Sequence, residues 1–213
     1  MHQKIELIEF WKSKLDLTKE ELFAFESVKR EDFVPFDQKD KAYDDHPLPI
    51  LRGKTISQPT TVMIMTASLD VKKGDRVFEV GSGSGYQTAI LSKLVGKNGK
   101  VVSTEVIPEL VNFAKTNLLK AKINNVVVHE EDGSKGLPQY APYDKIIITA
   151  ACKEFPQPLL DQLKPGGIIV GPVGDIKEQE MCKGIKSKEG KLEVHFLGPF
   201  LFSPMYGKYG FEV

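Results

Sequence analysis

The sequence predicts an α/β fold with a doubly wound, mostly parallel sheet, helices ahead of it and an antiparallel hairpin after it. Three observations carry this. Short apolar runs alternate with helix-period segments through the middle of the chain, and the glycine-rich stretch "GSGSG" (81–85) joins the first run to its helix. Near the C-terminus, two alternating runs flank Glu189 and Gly190, as a hairpin does. At 213 residues the chain can bury one such core, and no stretch has linker composition. One domain over 1–213 is expected: helices and a long loop over 1–56, a ligand-binding core over 57–175, and a hairpin and tail over 176–213.

Ile5, Leu7, Ile8, Trp11 and Leu15 recur at near-helical spacing and predict a first helix. A second apolar stripe, Leu22, Phe23 and Val28, follows Thr18, with Glu21 three residues on as in a capping box. From "REDFVP" to "SQP" the chain is rich in Pro, Asp and Gly without period, which predicts an ordered loop or a short irregular strand lying on the core. "TTVMIMTASL" then reads as an apolar helix. Ser57, two residues before Pro59, is placed to cap it. The strand–helix alternation follows: "RVFEV" with "GYQTAILSKL", "KVVSTEV" with "PELVNFAKTNLLKA", "NVVVHE" with a short loop, and "YDKIIITAA" with "PQPLLDQL". "GGIIVGPV" closes the parallel series, and "MCKGIKSKEGKLEVHFLGPF" supplies the hairpin.

Lys plus Arg equals Asp plus Glu at 29 each, so no net field favours nucleic acid or a membrane surface. No basic, aromatic-interleaved stripe appears. The N-terminal residues mix charge through their apolar positions, unlike a signal or transit peptide, and no run reaches membrane-spanning length. Cys152 and Cys182 are far apart with no CxxC and no histidine pair nearby, which argues against a metal site or a disulfide framework. A metal-free monomer in a reduced cytoplasm is the expectation, with neither nucleic acid nor membrane as partner.

The glycine stretch is not a dinucleotide fingerprint. Gly81 and Gly83 fit GxGxxG, but Tyr86 stands at the third position and the extra glycine is Gly85. Glu79, two residues ahead of the turn, would repel a pyrophosphate. A ligand with no phosphate and a positive charge suits the turn Gly81-Ser82-Gly83, and S-adenosyl-L-methionine is one. Its ribose hydroxyls need acceptors, and Glu105, ending the second strand beside Val106, stands where such folds place a ribose-binding carboxylate. Asp132 and Gly133, past the third strand, can flank the adenine. Taken singly, these residues could be a packing turn, a solvated strand end and a loop turn. Together they fall on one carboxyl edge of the sheet, where open α/β folds bind ligands.

Absences narrow the methyl acceptor. An NPPY-like segment for base amines would follow the fourth strand, where the chain reads "TAACKE". Cys152 follows alanine rather than the proline usual for a cytosine-attacking nucleophile. No YxxxK pair exists, and His2, His46, His129 and His195 are scattered without a visible partner. An acceptor that is already anionic asks least, since a carboxylate of pKa roughly 4 is ionised at pH 7 without a general base.

"KREDFVP", "PLPI", "TISQP", "VFEVGSGSGYQTAILSKL", "IPELV", "DGSKGLPQYAPYDKIIITAA" and "LLDQLKPGG" together resemble the protein-L-isoaspartate O-methyltransferase family, from about Val28 to Val173. The resemblance implies a Rossmann-like class I methyltransferase sheet that uses S-adenosyl-L-methionine and releases S-adenosyl-L-homocysteine. It also implies a substrate: the free α-carboxylate of L-isoaspartyl residues, and less readily D-aspartyl side chains, in damaged proteins and peptides. The ester then collapses to a succinimide whose hydrolysis partly restores aspartate. By the same resemblance the serine of TIS, Ser57, lies at the active site, with Thr55 and Ile56 against cofactor and acceptor. Glu79, Gly81, Ser82, Gly83, Glu105, Val106, Asp132 and Gly133 hold the donor.

Two stretches depart from the family pattern. Where it usually reads PIGHG, this chain reads "PILRG", and Arg52 either pairs with the incoming carboxylate or faces solvent. The ending "FLFSPMYGKYGFEV" replaces the usual valine-proline-leucine; its Phe202, Tyr206, Tyr209 and Phe211 either close over the site, with Tyr206 against substrate, or pack as a tail. The donor motifs alone also fit a methyltransferase acting on RNA or a small molecule, or a binding protein without transferase activity.

Overall fold

The computed structural model describes residues 2–212. Two helices come first, α1 (His2–Lys14) and α2 (Lys19–Ser27). Thr18 opens α2 with the expected capping box: its hydroxyl accepts the Glu21 N–H at 3.2 Å, and the Glu21 carboxylate accepts the Thr18 N–H at 2.8 Å. Of the expected stripe, Val28 is buried and Leu22 packs against the core, but Phe23 does not turn inward. Glu21, Ala24, Phe25 and Val28 face the core at helical spacing, while Phe23 points to solvent. Phe25 meets Trp11 of α1 edge-on, with centroids 4.6 Å apart.

The aperiodic segment is ordered, as expected, and folds as tight turns with short strands. Three 3₁₀ turns, Arg30–Asp32, Phe36–Lys41 and Leu51–Gly53, surround the short antiparallel pair β1 (Leu48–Pro49) and β2 (Thr55–Ile56). Then α3 runs over Pro59–Leu69. Its N-cap is Gln58, not Ser57, because Pro59 takes the first helical position and the cap is the residue before it. The capping acceptor comes from elsewhere: the Asp45 carboxylate takes the Thr60 N–H at 2.9 Å and its hydroxyl at 2.7 Å. The Ser57 side chain is left out of the helix end.

Seven strands form the main sheet in the order β5-β4-β3-β6-β7-β8-β9. They are β3 (Arg76–Val80), β4 (Lys100–Glu105), β5 (Val126–Glu130), β6 (Tyr143–Ile148), β7 (Leu163–Gly174), β8 (Gln179–Lys186) and β9 (Leu192–Phe200). Strands β3 to β7 pair in parallel, and β8 and β9 add as an antiparallel hairpin. Helices α4 (Tyr86–Val95), α5 (Pro108–Lys120) and α6 (Gln157–Gln162) cover the sheet. Val77, Val101, Ile147 and Val170 pack on Met65, Leu69 and Leu91 of α3 and α4, while Phe78, Val80, Val102 and Ile146 pack with Leu159 of α6. Apolar residues therefore stand on both faces, as in a doubly wound sheet. From β3 the chain first runs toward β4 and β5 and then crosses to β6. Val80, ending β3, lies between Thr104 and Ile148, so the glycine turn after it opens at the topological switch point.

Candidate active site

The glycine turn is fixed from three sides. The N–H groups of Gly81 and Ser82 both donate to the Thr104 carbonyl, at 2.8 and 2.9 Å, and the Gly85 N–H closes the bend on Ser82 at 2.7 Å. Thr149, just past β6, donates its hydroxyl toward the carbonyls of Val80 and Gly81, at 2.9 and 2.5 Å. Gly81 has φ +93°, and a Cβ there would lie 2.6 Å from the Thr149 hydroxyl, so both conformation and space require glycine. At Gly133 space alone decides, since a Cβ would sit 2.2 Å from the Thr104 hydroxyl and 2.7 Å from a Val80 methyl.

Glu105 ends β4 beside this turn. One carboxylate oxygen accepts the Gly83 N–H at 3.1 Å, and the other accepts the N–H groups of Val106 and Ile107, at 2.9 and 3.1 Å. The carboxylate thereby ties the glycine turn to the end of β4 and keeps lone pairs for a ligand.

A cavity of about 790 Å³ opens above these strand ends. Of the residues singled out from the sequence, it brings together Gly81, Ser82, Gly83, Glu105, Val106 and Gly133 on one side, and Thr55, Ile56, Ser57 and Tyr206 on the other. Val106, Ile107 and Leu110 give it an apolar wall, and Phe200 to Tyr206 bring the chain from β9 back across its mouth. Backbone bonds between Ala151 and residues Ser203 and Met205, both 2.8 Å, pin that return. Lys54 is the one cationic side chain on the wall among the described residues, and it stacks 5.0 Å from the Tyr206 ring centroid. Around the glycine turn the wall carries the carboxylates Glu105 and Glu131 and no cation. That donor set fits a positively charged nucleoside with free ribose hydroxyls, and not a pyrophosphate.

Three expected site residues do not line the cavity. Glu79 lies behind the turn, fully buried, where one carboxylate oxygen accepts the hydroxyls of Thr88 and of Ser103, the latter at 2.6 Å, and the other oxygen has no partner. Burial outweighs those two donors and pushes its pKa up to about 7. The folded carboxyl therefore holds its proton where an exposed one, near 4.5, has lost it. The sign follows: this contribution to stability is complete below pH 4.5 and is lost as pH rises through 7. It amounts to about 3 kcal/mol. Glu79→Gln should flatten the fall in thermal midpoint between pH 5 and pH 8 and leave the variant the more stable at pH 8; a slope equal to the parent's would contradict this.

Asp132 turns the other way. One oxygen accepts the Ser134 N–H and hydroxyl, at 3.0 and 2.6 Å, and the other accepts the Lys208 N–H at 2.8 Å. The Ser134 hydroxyl in turn accepts the Tyr209 N–H at 3.1 Å. Asp132 thus clasps the C-terminal tail, and the neighbouring Glu131 is the carboxylate on the cavity wall. Arg52 lies outside as well, ion-paired with Glu109 on an exposed stretch. Exposed pairs of this kind contribute little.

Cys152 is buried against the Pro172 carbonyl, and burial raises its pKa to about 12, so no thiolate forms near neutral pH. Sequence reasoning overlooked Glu131, Thr149 and Lys54. It also overlooked Arg30, whose buried guanidinium donates to the Ser57 carbonyl at 2.7 Å. No spacing rule links residues that far apart.

The sequence profile of the family described as Protein-L-isoaspartate(D-aspartate) O-methyltransferase (PCMT) matches residues 2–210. The protein-L-isoaspartate O-methyltransferase of Methanopyrus kandleri is 47% identical over 190 residues, covering 89% of this chain and 84% of that protein. Protein-L-isoaspartate O-methyltransferase 2 of Archaeoglobus fulgidus is 45% identical over 206 residues, covering 97% and 94%. A solved protein-L-isoaspartate O-methyltransferase superposes with a TM-score of 0.87 at 29% identity, over 97% of this chain and 67% of that one. Another, assigned as a beta-aspartate methyltransferase from Plasmodium falciparum and solved in complex with S-adenosyl-L-homocysteine, superposes with a TM-score of 0.83 at 25% identity, over 96% and 98%.

Proposed function

This chain belongs to the protein-L-isoaspartate(D-aspartate) O-methyltransferase family, and from that premise we propose how its own residues serve repair methylation. The protein is an S-adenosyl-L-methionine-dependent methyltransferase acting on the free α-carboxylate of L-isoaspartyl residues in damaged proteins and peptides. The observation that carries the reading is a single cavity with a phosphate-repelling nucleoside wall on one side and an unengaged serine on the other.

Bound there, S-adenosyl-L-methionine supplies an electrophilic methyl group on a positively charged sulfur, whose transfer leaves a methyl ester and S-adenosyl-L-homocysteine. Gly81, Ser82 and Gly83 let the backbone approach the donor closely, and Glu105 accepts from its ribose hydroxyls. Val106 and Leu110 offer apolar surface to the adenine, beside Glu131 and Gly133. Ser57 donates a hydrogen bond to the acceptor carboxylate and turns one oxygen toward the donor. Thr55 and Ile56 anchor that serine, which follows directly on β2, through the pairing of Ile56 with Leu48. No general base is required, because the acceptor is already an anion at neutral pH. Rate enhancement then rests on orientation and on removing water from two opposite charges, together several kcal/mol. The return of the chain through Tyr206 supplies the water-excluding cover.

The free, buried Cys152 and Cys182 suit a reducing cytoplasm. The test is transfer of a radiolabelled methyl group to an isoaspartyl peptide, beside the normal aspartyl peptide and an RNA. Label should enter only the first and leave as methanol in mild base. Equal labelling of the aspartyl peptide or the RNA would overturn the proposal.

A further inference from the structure

Arg30 is fully buried, yet among the described residues it makes no ion pair. Its Nε donates to the Ala42 carbonyl at 2.6 Å and its Nη2 to the Ser57 carbonyl at 2.7 Å, while Nη1 makes no well-formed hydrogen bond. The guanidinium lies over the Tyr86 ring, 4.9 Å from its centroid, and Tyr86 is itself part of the cavity wall. The hydroxyl of Tyr86 is buried beside the guanidinium and has no other partner than Arg30.

A strut between two carbonyls needs only neutral donors. A buried cation with no carboxylate in contact carries a desolvation penalty of several kcal/mol, which the two carbonyls, the Tyr86 ring and the field of Asp45 offset only in part. The charge is compensated once an anion enters, and the acceptor of the reaction is an anion that docks against Ser57. We infer that Arg30 is a positioning residue for methyl transfer. It fixes the Ser57 backbone and the Tyr86 ring from behind, and it supplies the buried positive charge toward which the isoaspartyl carboxylate is drawn. The inference rests on the function proposed above and adds the source of its carboxylate preference.

The two roles separate in steady-state kinetics. Arg30→Met removes charge and fork together, and should raise KM for an isoaspartyl peptide on the order of tenfold or more while also lowering kcat. Arg30→Lys restores the charge but cannot span both carbonyls. It should return KM to within about threefold of the parent while kcat stays about tenfold low. Affinity for S-adenosyl-L-homocysteine, measured by calorimetry, should change less than about twofold in both, since the glycine turn and Glu105 are untouched. A structural strut would instead lower thermal midpoint, product affinity and turnover together, in both variants alike, and that result overturns the inference. So does an unchanged KM in Arg30→Met. Should Arg30→Met fail to fold, Arg30→Lys decides alone: parental kcat overturns the inference, and near-parental KM with reduced kcat supports it. Failure of the parent protein to methylate the peptide is a distinct outcome, and it overturns the function together with this inference.

Discussion

Ser57→Ala should lower kcat for an isoaspartyl peptide by roughly 100-fold and leave both the affinity for S-adenosyl-L-homocysteine and the thermal midpoint nearly unchanged. The reasoning begins with what the serine does not do. Gln58 occupies the N-cap of α3 and Asp45 supplies the capping acceptor, so no helix-end bond is lost with the hydroxyl. A capping serine would cost about 1 kcal/mol on replacement. In the proposed role, what Ser57→Ala would remove is a donor to a charged acceptor at the reacting position, worth more than a neutral hydrogen bond. Titration calorimetry with S-adenosyl-L-homocysteine, a melting curve and steady-state rates suffice. A fall in product affinity matching the fall in rate would move Ser57 to the donor shell, and a lower midpoint would return it to the helix cap.

Glu105→Ala should abolish measurable binding of S-adenosyl-L-homocysteine, with a loss of 100-fold or more. In the proposed role, two ribose hydroxyls would lose a charged acceptor, and hydrogen bonds to charged groups contribute about 1.5–3 kcal/mol each. The same change strands the N–H groups of Gly83, Val106 and Ile107, which now share that carboxylate, so the glycine turn should loosen as well. Stability should fall by about 1–3 kcal/mol. Glu105→Gln separates the parts, because its amide oxygen keeps one acceptor and loses the charge. Its midpoint should lie between those of the parent and Glu105→Ala while binding stays weak. Saturable binding of parental strength in Glu105→Ala would exclude the ribose role.

The elements legible in the sequence were those whose signal is local. The capping box at Thr18 spans three residues, the strand–helix alternation repeats a short pattern, and the hairpin shows itself by alternation on both sides of its turn. The glycine turn was legible for the same reason, and Glu105 beside it indicated the charge type of the ligand, whereas Glu79 and Asp132, which the same reading used, turn away from the cavity. Side-chain direction was a different matter. In "RVFEV" both faces are apolar because helices cover both sides of the sheet, so no alternation reveals that Glu79 points toward α4 and away from the cavity. Beyond Glu130 the strand ends and its period-2 rule with it. Which of Glu131 and Asp132 turns inward is then set by the C-terminal tail docking on Asp132 from 76 residues away.

The sequence by itself determined that this chain builds a parallel sheet, where the sheet bends on glycine, and that a cationic nucleoside suits the bend, since these follow from spacing and residue type within short windows. Tertiary structure alone decided which carboxylates reach the cavity, that Ser57 is free of the helix it precedes, and that Arg30, Ala42, Ser57 and Tyr86 meet around one buried charge. The physical reason is that burial and electrostatics depend on what surrounds a group in space, and those neighbours come from segments that chain order keeps far apart.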